Sequence, residues 1–347
     1  MRGRGGPAIR ALRWGLRYLR GFEPQLRDAP VILMYHRVAE PPWDPWGLAV
    51  PPALFREQIL ALKRRRALLS MDDLVAGLES GSLPPRATAL TFDDGYADNA
   101  LVAKPILEEL EAPATLFLTS GIVGEKRGFW WDELARLVLA GRSGADFAID
   151  AGGERLAATW PEQAELPADL GSWRVNHRTD DPRRQAYLHL WRILQAMTAE
   201  RRDAAMTRLT DLLSSGAPEF DDLLCRPMTP EMVRAAPSRW IAIGAHGRSH
   251  TPLTALPLAT RREELEGARD EIAALTGAEP PSGLAYPHGS FDAETRALVA
   301  EAGYRWAVIS RSARIDPRCF DPLALPRLEA GPRDARGMLR SVHAAGR

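Results

Sequence analysis

The chain has 347 residues, 45 basic and 45 acidic side chains, and two cysteines, Cys225 and Cys319. It is long enough for one large domain or two smaller ones, and its balanced charge gives no signal for a nucleic-acid or acidic-polymer partner. Two cysteines without metal-site spacing make no disulfide framework, which fits a thiol-reducing compartment, and no stretch approaches the roughly 20 apolar residues that span a bilayer.

Residues 1–28 carry Arg2, Arg4, Arg10, Arg13, Arg17, Arg20 and Arg27 against Glu23 and Asp28. Arginines interrupt every apolar stretch, including Leu12, Trp14, Leu16, Tyr18 and Leu19, so there is no h-region of a secretory signal. The segment reads as a basic arm, solvated or packed on its own domain, or as an amphipathic helix on an anionic membrane face. Without an export signal the expected location is cytoplasmic, membrane-peripheral if that helix forms. Residues 29–347 read as the main domain.

Val31-Ile32-Leu33-Met34 is a short buried strand that runs into Tyr35-His36-Arg37-Val38. A Pro/Trp-rich loop leads to a helix ending near Arg66, and a second helix starts at Met71 and stops at Gly81. Ala87-Thr88-Ala89-Leu90-Thr91-Phe92 is an apolar run of the kind found in buried parallel strands, and it ends in Asp93-Asp94-Gly95-Tyr96. Asn99 to Leu110 is helical despite Pro105, and Ala114 to Leu118 is the next strand, which completes a βαβ unit.

Residues 124–228 break this rhythm. Trp131 to Ala140 and Pro182 to Leu213 are helical, and Ala151 to Gly171 is irregular. The segment reads as a mostly helical insertion, either a substrate-side cap or a scaffold elaboration. Trp130-Trp131 offers stacking surface for a sugar or a core anchor.

The rhythm resumes at Thr229. Strand Trp240 to Ala245 leads into His246-Gly247-Arg248-Ser249-His250, and a long helix spans Leu258 to Leu275. Gly283-Leu284-Ala285 runs into Tyr286-Pro287-His288-Gly289, a helix follows from Ala293, and Arg305 to Ile309 is a strand. Leu325-Pro326-Arg327-Leu328 is the last strand, and a helix from Asp334 to Val342 closes the chain. Each polar cluster follows a strand, which fits an α/β fold built as a (β/α) barrel, complete or incomplete.

Two adjacent carboxylates at a strand end must be paired, solvated or bound to a cation, unless one caps the following helix. His246 and His250 stand four apart at another strand end. Two imidazoles and one carboxylate suit Zn²⁺, with Fe²⁺ or Co²⁺ as alternatives, and three protein ligands leave room for water and substrate.

Thr91-Phe92-Asp93-Asp94-Gly95-Tyr96 with His246-x-x-x-His250 resembles the first two motifs of the polysaccharide deacetylases, the NodB-homology or carbohydrate esterase family 4 group. Tyr286-Pro287-His288-Gly289 is similar to their third motif. The resemblance covers roughly Val31 to Leu328 outside the insertion. It implies a barrel of the NodB type, incomplete or seven-stranded, and removal of N-acetyl groups from a glycan or glycolipid. It further implies Asp94, His246 and His250 as ligands of a divalent metal (Zn, otherwise Co, Ni or Fe) and Asp93 as general base. Tyr96, Tyr286, Pro287, His288 and Gly289 would line the substrate, with a backbone N–H near His288 stabilising the oxyanion.

Two departures stand out. The family's third motif carries an Arg that orients the base, and here Ala285 stands near that place. Its fifth motif supplies an acid histidine after the last strand, and here that strand has Leu325-Pro326-Arg327. Some members place a histidine on an N-terminal strand in a segment similar to Met34 to Val38. The expectations are therefore His36 as the acid and Arg327 as the partner of Asp93. The competing readings are an O-acetyl esterase or non-sugar amide hydrolase on the same site, a glycan-binding module without catalysis, and an iron oxygenase, against which the strand–helix alternation argues.

Overall fold

The computed structural model describes residues 28–344 except residue 164 and residues 219–222. The basic segment read at residues 1–28 thus lies outside the described residues, save Asp28. Among the described residues no helix is long and apolar enough to cross a membrane.

The first part of the chain gives strand β1 (Val31–Tyr35), helix α1 (Pro52–Lys63), β2 (Ala67–Leu69), α2 (Met71–Ser80) and β3 (Ala87–Phe92). A π-helical turn at Asn99–Ala103 passes directly into α3 (Lys104–Glu109), and β4 (Ala114–Leu118) follows. The turn precedes Pro105, which has no N–H to continue a regular ladder, so the helix tolerates the proline near its start.

After the insertion come α7 (Pro230–Ala235), β7 (Ile241–Ala245), α8 (Leu258–Thr276), β8 (Gly283–Ala285), α9 (Ala293–Glu301), β9 (Trp306–Ile309), β10 (Leu325–Pro326), β11 (Leu328–Glu329) and α10 (Ala335–Ala344). The main sheet runs β10-β9-β8-β7-β4-β3-β1-β11, with every pairing parallel. Strand β2 shares the β4 side of β3, pairing with its first residues while β4 pairs with its last.

The last strand is therefore two pieces. Pro326 pairs with Ile309 on β9, and Leu328 pairs with Leu33 on β1, on either side of Arg327. The two edges of the sheet meet in this one broken strand, and the result is a nearly closed parallel barrel wrapped by helices.

Strand residues divide between two faces, as the pleat requires. Val31, Leu33, Tyr35, Leu90, Phe92, Leu116 and Ala307 join a cluster with residues of α1, α8, α9 and α10. The alternate residues Ile32, Ala89, Phe117, Ala285, Val308 and Leu325 form the inner cluster. Helix α2 adds Met71, Leu74, Val75 and Leu78 to that inner cluster and so plugs the barrel.

The insertion has its own apolar core. It consists of α4 (Trp130–Val138), an antiparallel hairpin of β5 (Ala145–Ala151) and β6 (Glu154–Trp160), α5 (Pro182–Ala196) and α6 (Ala199–Leu213). The hairpin corrects the expectation of an irregular stretch from Ala151. Phe147 and Ile149 alternate with exposed Asp146, Ala148 and Asp150, the period of a half-buried strand. Gly152 and Gly153, at φ +61° and +80°, make the two-residue turn that suits the strand twist. The two cysteines form no disulfide; Cys225 is buried and accepts from Arg37 Nη2 at 2.9 Å, and Cys319 is exposed.

Candidate active site

The parallel sheet brings the carboxyl ends of its strands to one rim. There β1 delivers His36, β3 delivers Asp93 and Asp94, β7 delivers His246, and β8 leads to His288. Asp94 Oδ1 lies 3.2 Å from His250 Nε2 and 3.5 Å from His246 Nε2. All three side chains are buried, and one donor atom from each lies within 4.8 Å of the others.

Local structure fixes this cluster. His246 Nδ1 meets the Ala285 carbonyl at 2.8 Å, which orients the ring and leaves Nε2 facing Asp94. The Glu264 carboxylate accepts from the Arg248 and Ser249 amides, at 2.7 and 3.0 Å, and pins the turn between the two histidines. Asp94, His250 and His288 adopt left-handed backbone, at φ +75°, +56° and +55°. Non-glycine residues there cost energy that the surroundings must impose, and such residues concentrate at functional sites. Gly95 must remain glycine because a Cβ would come within 2.9 Å of the Leu118 side chain at φ +84°.

Asp93 sits beside the cluster. Arg327 donates to both its oxygens, from Nη1 to Oδ1 and Nη2 to Oδ2 at 2.6 Å each, and also to Thr91 Oγ1 at 3.1 Å. The guanidinium is buried among Phe117 and the Ile309 carbonyl. Burial raises the Asp93 pKa, but Arg327 and then His246 outweigh it and hold the carboxyl below its ordinary value. Asp94 is likewise pushed up by burial and pulled well below by hydrogen bonds to His246 and His250. Burial lowers His246, but Asp93 and Asp94 raise it overall, whereas burial prevails at His250 and leaves it lowered. His288 is lowered well below its ordinary value by burial and by His250.

The donors fit a divalent cation: two imidazole nitrogens and one carboxylate oxygen converge, with the His246 ring held by the Ala285 carbonyl. His36 is half-buried after β1, and its carbonyl accepts from Asn99 Nδ2 at 2.8 Å.

Two residues expected to line the substrate lie elsewhere. Tyr286 is fully buried and donates to the Leu323 carbonyl at 3.0 Å, stacked on Phe291. Tyr96 is fully buried too, donating to Asp132 Oδ2 at 2.8 Å and accepting from Trp131 Nε1 at 2.7 Å. Neither side chain is open to a ligand, because an aromatic ring with a satisfied hydroxyl is stable in a core. Pro287 is buried as well, and the Gly289 amide donates to the Tyr286 carbonyl at 2.8 Å. His288 keeps a half-buried ring 4.4 Å from that of His250, and its Nε2 has no partner among the described residues.

The sequence singles out Trp130-Trp131 but none of the other residues that tie the insertion to this rim. Trp131 packs 4.8 Å from the His250 ring, and Trp191 lies edge-on to His288 at 6.2 Å. Arg202 donates to the Ser249 carbonyl at 2.8 Å. Asp132 accepts from Tyr96 and faces Arg37 Nη1 at 4.0 Å, and Arg37 in turn pairs with buried Asp98 at 3.1 Å. Burial above all raises the Asp132 pKa to about 6, although Arg37 opposes it. The adjacency of Asp132 to the Trp130-Trp131 pair was its one visible signal.

A parallel barrel with two histidines and two aspartates converging on its carboxyl-end rim is laid out as an enzyme's active site. The family model of the polysaccharide deacetylases matches residues 80–147 and 189–307. The chain belongs to this family, hydrolases that act on carbon–nitrogen bonds other than peptide bonds. Solved structures agree in fold. The Streptococcus pyogenes deacetylase PplD, in complex with acetate, superposes with a TM-score of 0.55 at 17% identity, over 90% of this chain and 98% of that one. IcaB from Ammonifex degensii gives 0.53 at 16% identity, over 91% and 98%. The de-N-acetylase from Aggregatibacter actinomycetemcomitans gives 0.51 at 14% identity, over 91% and 100%. No protein of curated function matches the chain in sequence.

Proposed function

We propose that the protein is a metal-dependent deacetylase that hydrolyses the acetamide of an N-acetylated sugar in a polysaccharide or glycolipid. The observation that carries this reading is the Asp94, His246 and His250 cluster beside an Asp93 gripped by Arg327. The Aggregatibacter neighbour, a de-N-acetylase, supports the choice of nitrogen over oxygen.

A divalent cation held by Asp94, His246 and His250, with zinc the first choice, supplies Lewis acidity toward the amide carbonyl and the attacking water. Asp93 is the general base. It is ionised at neutral pH because its pKa is held low, and Arg327 fixes the direction of both its oxygens. It takes a proton from water as the water oxygen bonds to the acetyl carbon. The His288 amide, in the turn shaped by Pro287 and Gly289, donates to the oxyanion that forms. His36 then gives a proton to the sugar nitrogen as the carbon–nitrogen bond breaks, which leaves acetate and a free amine. The insertion places Trp131 and Trp191 against His250 and His288 and so walls the rim against bulk water.

The test is acetate release from paired N-acetyl and O-acetyl sugars and N-acetyl non-sugar amides, with and without added zinc. The reading requires the N-acetyl sugars to be preferred and a chelator to abolish turnover. Faster release from O-acetyl esters assigns the site to an esterase, and glycan binding without any release assigns it to a binding module.

A further inference from the structure

Many arginines in the described residues are engaged by carboxylates, even at the surface: Arg56 with Glu109, Arg262 with Glu301, Arg296 with Asp321. Arg64, Arg65, Arg336 and Arg340 are gathered in one place instead. All four are exposed, and among the described residues none forms an ion pair. They converge, together with His343, on a groove of about 280 Å³ between the end of α1 and α10, over an apolar floor at Leu339. Among the described residues no acidic side chain lines it. Arg340 also borders an adjoining open groove with Arg333 and Asp334, and the Asp334 carboxylate there accepts the Gly337 amide.

In a chain with no net charge, like charges gathered in one groove repel without return unless an anion joins them. Guanidinium forks match phosphate oxygens in pairs, and four of them on two adjacent helices present such forks from two sides.

The position adds a second argument. Arg66, next in the chain to Arg65, donates to the Ala29 carbonyl at 3.1 Å, and Arg314 donates to Val342 on α10 at 2.8 Å. The Ile315 amide meets the Pro30 carbonyl at 3.2 Å. The groove therefore lies near the amino end of β1, where residues 1–28 join the barrel. Their seven arginines are interspersed with Leu12, Trp14, Leu16, Tyr18 and Leu19, a composition suited to an anionic interface. The carboxyl-end rim with Asp93 and Asp94 is at the other end of the strands.

We propose that this groove is a binding site for phosphate-bearing anions, supplied by the headgroups of an anionic membrane or by a soluble phosphate. Bound there, a membrane surface would leave the carboxyl-end rim clear.

The full-length protein is mixed with vesicles of phosphatidylcholine alone or with phosphatidylglycerol, and separately with inorganic phosphate while Tm is followed. Two variants are compared, Arg336→Glu/Arg340→Glu and, in case charge reversal impairs folding, Arg64→Ala/Arg65→Ala. The expected result is binding to the anionic vesicles only, weakened about ten-fold in the variants and by salt, with acetate release from a soluble substrate unchanged. If vesicles are not bound but phosphate raises Tm in the wild type and not in the variants, the site stands and its ligand is soluble. If the variants match the wild type in both arms, or neither ligand has any effect, the proposal is overturned. Because acetate release is read independently, failure here leaves the deacetylase reading untouched.

Discussion

Arg327 and Asp93 form a two-pronged pair inside the barrel, 234 residues apart in the chain, with both contacts at 2.6 Å. Breaking a buried pair of this kind strands the remaining charge and costs roughly 3–5 kcal/mol. Arg327→Met should lose about that much stability in urea titrations. It should also move the acid limb of kcat/KM upward, because Asp93 then holds its proton to higher pH. The sign of the stability effect follows from the depressed pKa: the contribution is complete above the ordinary carboxylate value and lost as pH falls through the lowered one. An unchanged pH profile in a folded Arg327→Lys protein would show that the fork geometry is irrelevant to the base.

His250→Ala and Asp94→Asn should each reduce bound zinc, measured by elemental analysis after dialysis, and reduce turnover with it. Asp93→Asn should instead keep the metal and lose turnover by about 10²–10⁴. Full metal content in both ligand variants would remove the Asp94, His246 and His250 cluster from consideration as the metal site.

His36→Gln should leave metal content and fold intact and lower kcat by about 10²–10⁴ on N-acetyl substrates. The loss should shrink on an activated anilide, whose leaving group needs less protonation. Near-wild-type kcat on the sugar substrate would rule His36 out as the acid.

Asp132 couples the insertion to the rim through Tyr96. Its pKa is raised to about 6, so its ionised form burdens the folded state above that pH, and the burden is relieved as pH falls through 6 toward the ordinary value. Wild type should therefore gain stability relative to Asp132→Asn between pH 7.5 and about 5. A difference that stays constant over this range would mean that Asp132 is not strained by its surroundings.

Gly283 faces the Trp306 ring inside the barrel, where an added Cβ would fall 2.0 Å from the nearest ring carbon. Gly283→Ala should destabilise the protein by about 1–3 kcal/mol, read from the denaturation midpoint, since the tryptophan must leave its place. Trp306 also donates to Asp72 at 2.8 Å on the plugging helix, so the loss should extend to α2 in hydrogen exchange.

The barrel was legible because its information is local. Apolar runs such as Ala87–Phe92 and their punctuation by Asp93-Asp94-Gly95 or His246 do not depend on distant partners. The hairpin is equally local, with Gly152-Gly153 between two alternating runs, but its alternation is weak because small Ala148, Ala157 and Ala158 stand where a strand pattern needs clear polar and apolar positions. Asp132 shows in the sequence only as the neighbour of Trp130-Trp131: its meaning arises when α4 folds back over Tyr96. Tyr96 and Tyr286 show the converse limit, since a motif position does not say on which side of a loop the ring will lie.

The broken last strand joins two tasks. Leu325 to Glu329 both seals the sheet and delivers the guanidinium that aims Asp93, so closure of the barrel and orientation of the carboxylate are one event. Any chain that stops short of Arg327 would leave the barrel unsealed and Asp93 without its partner.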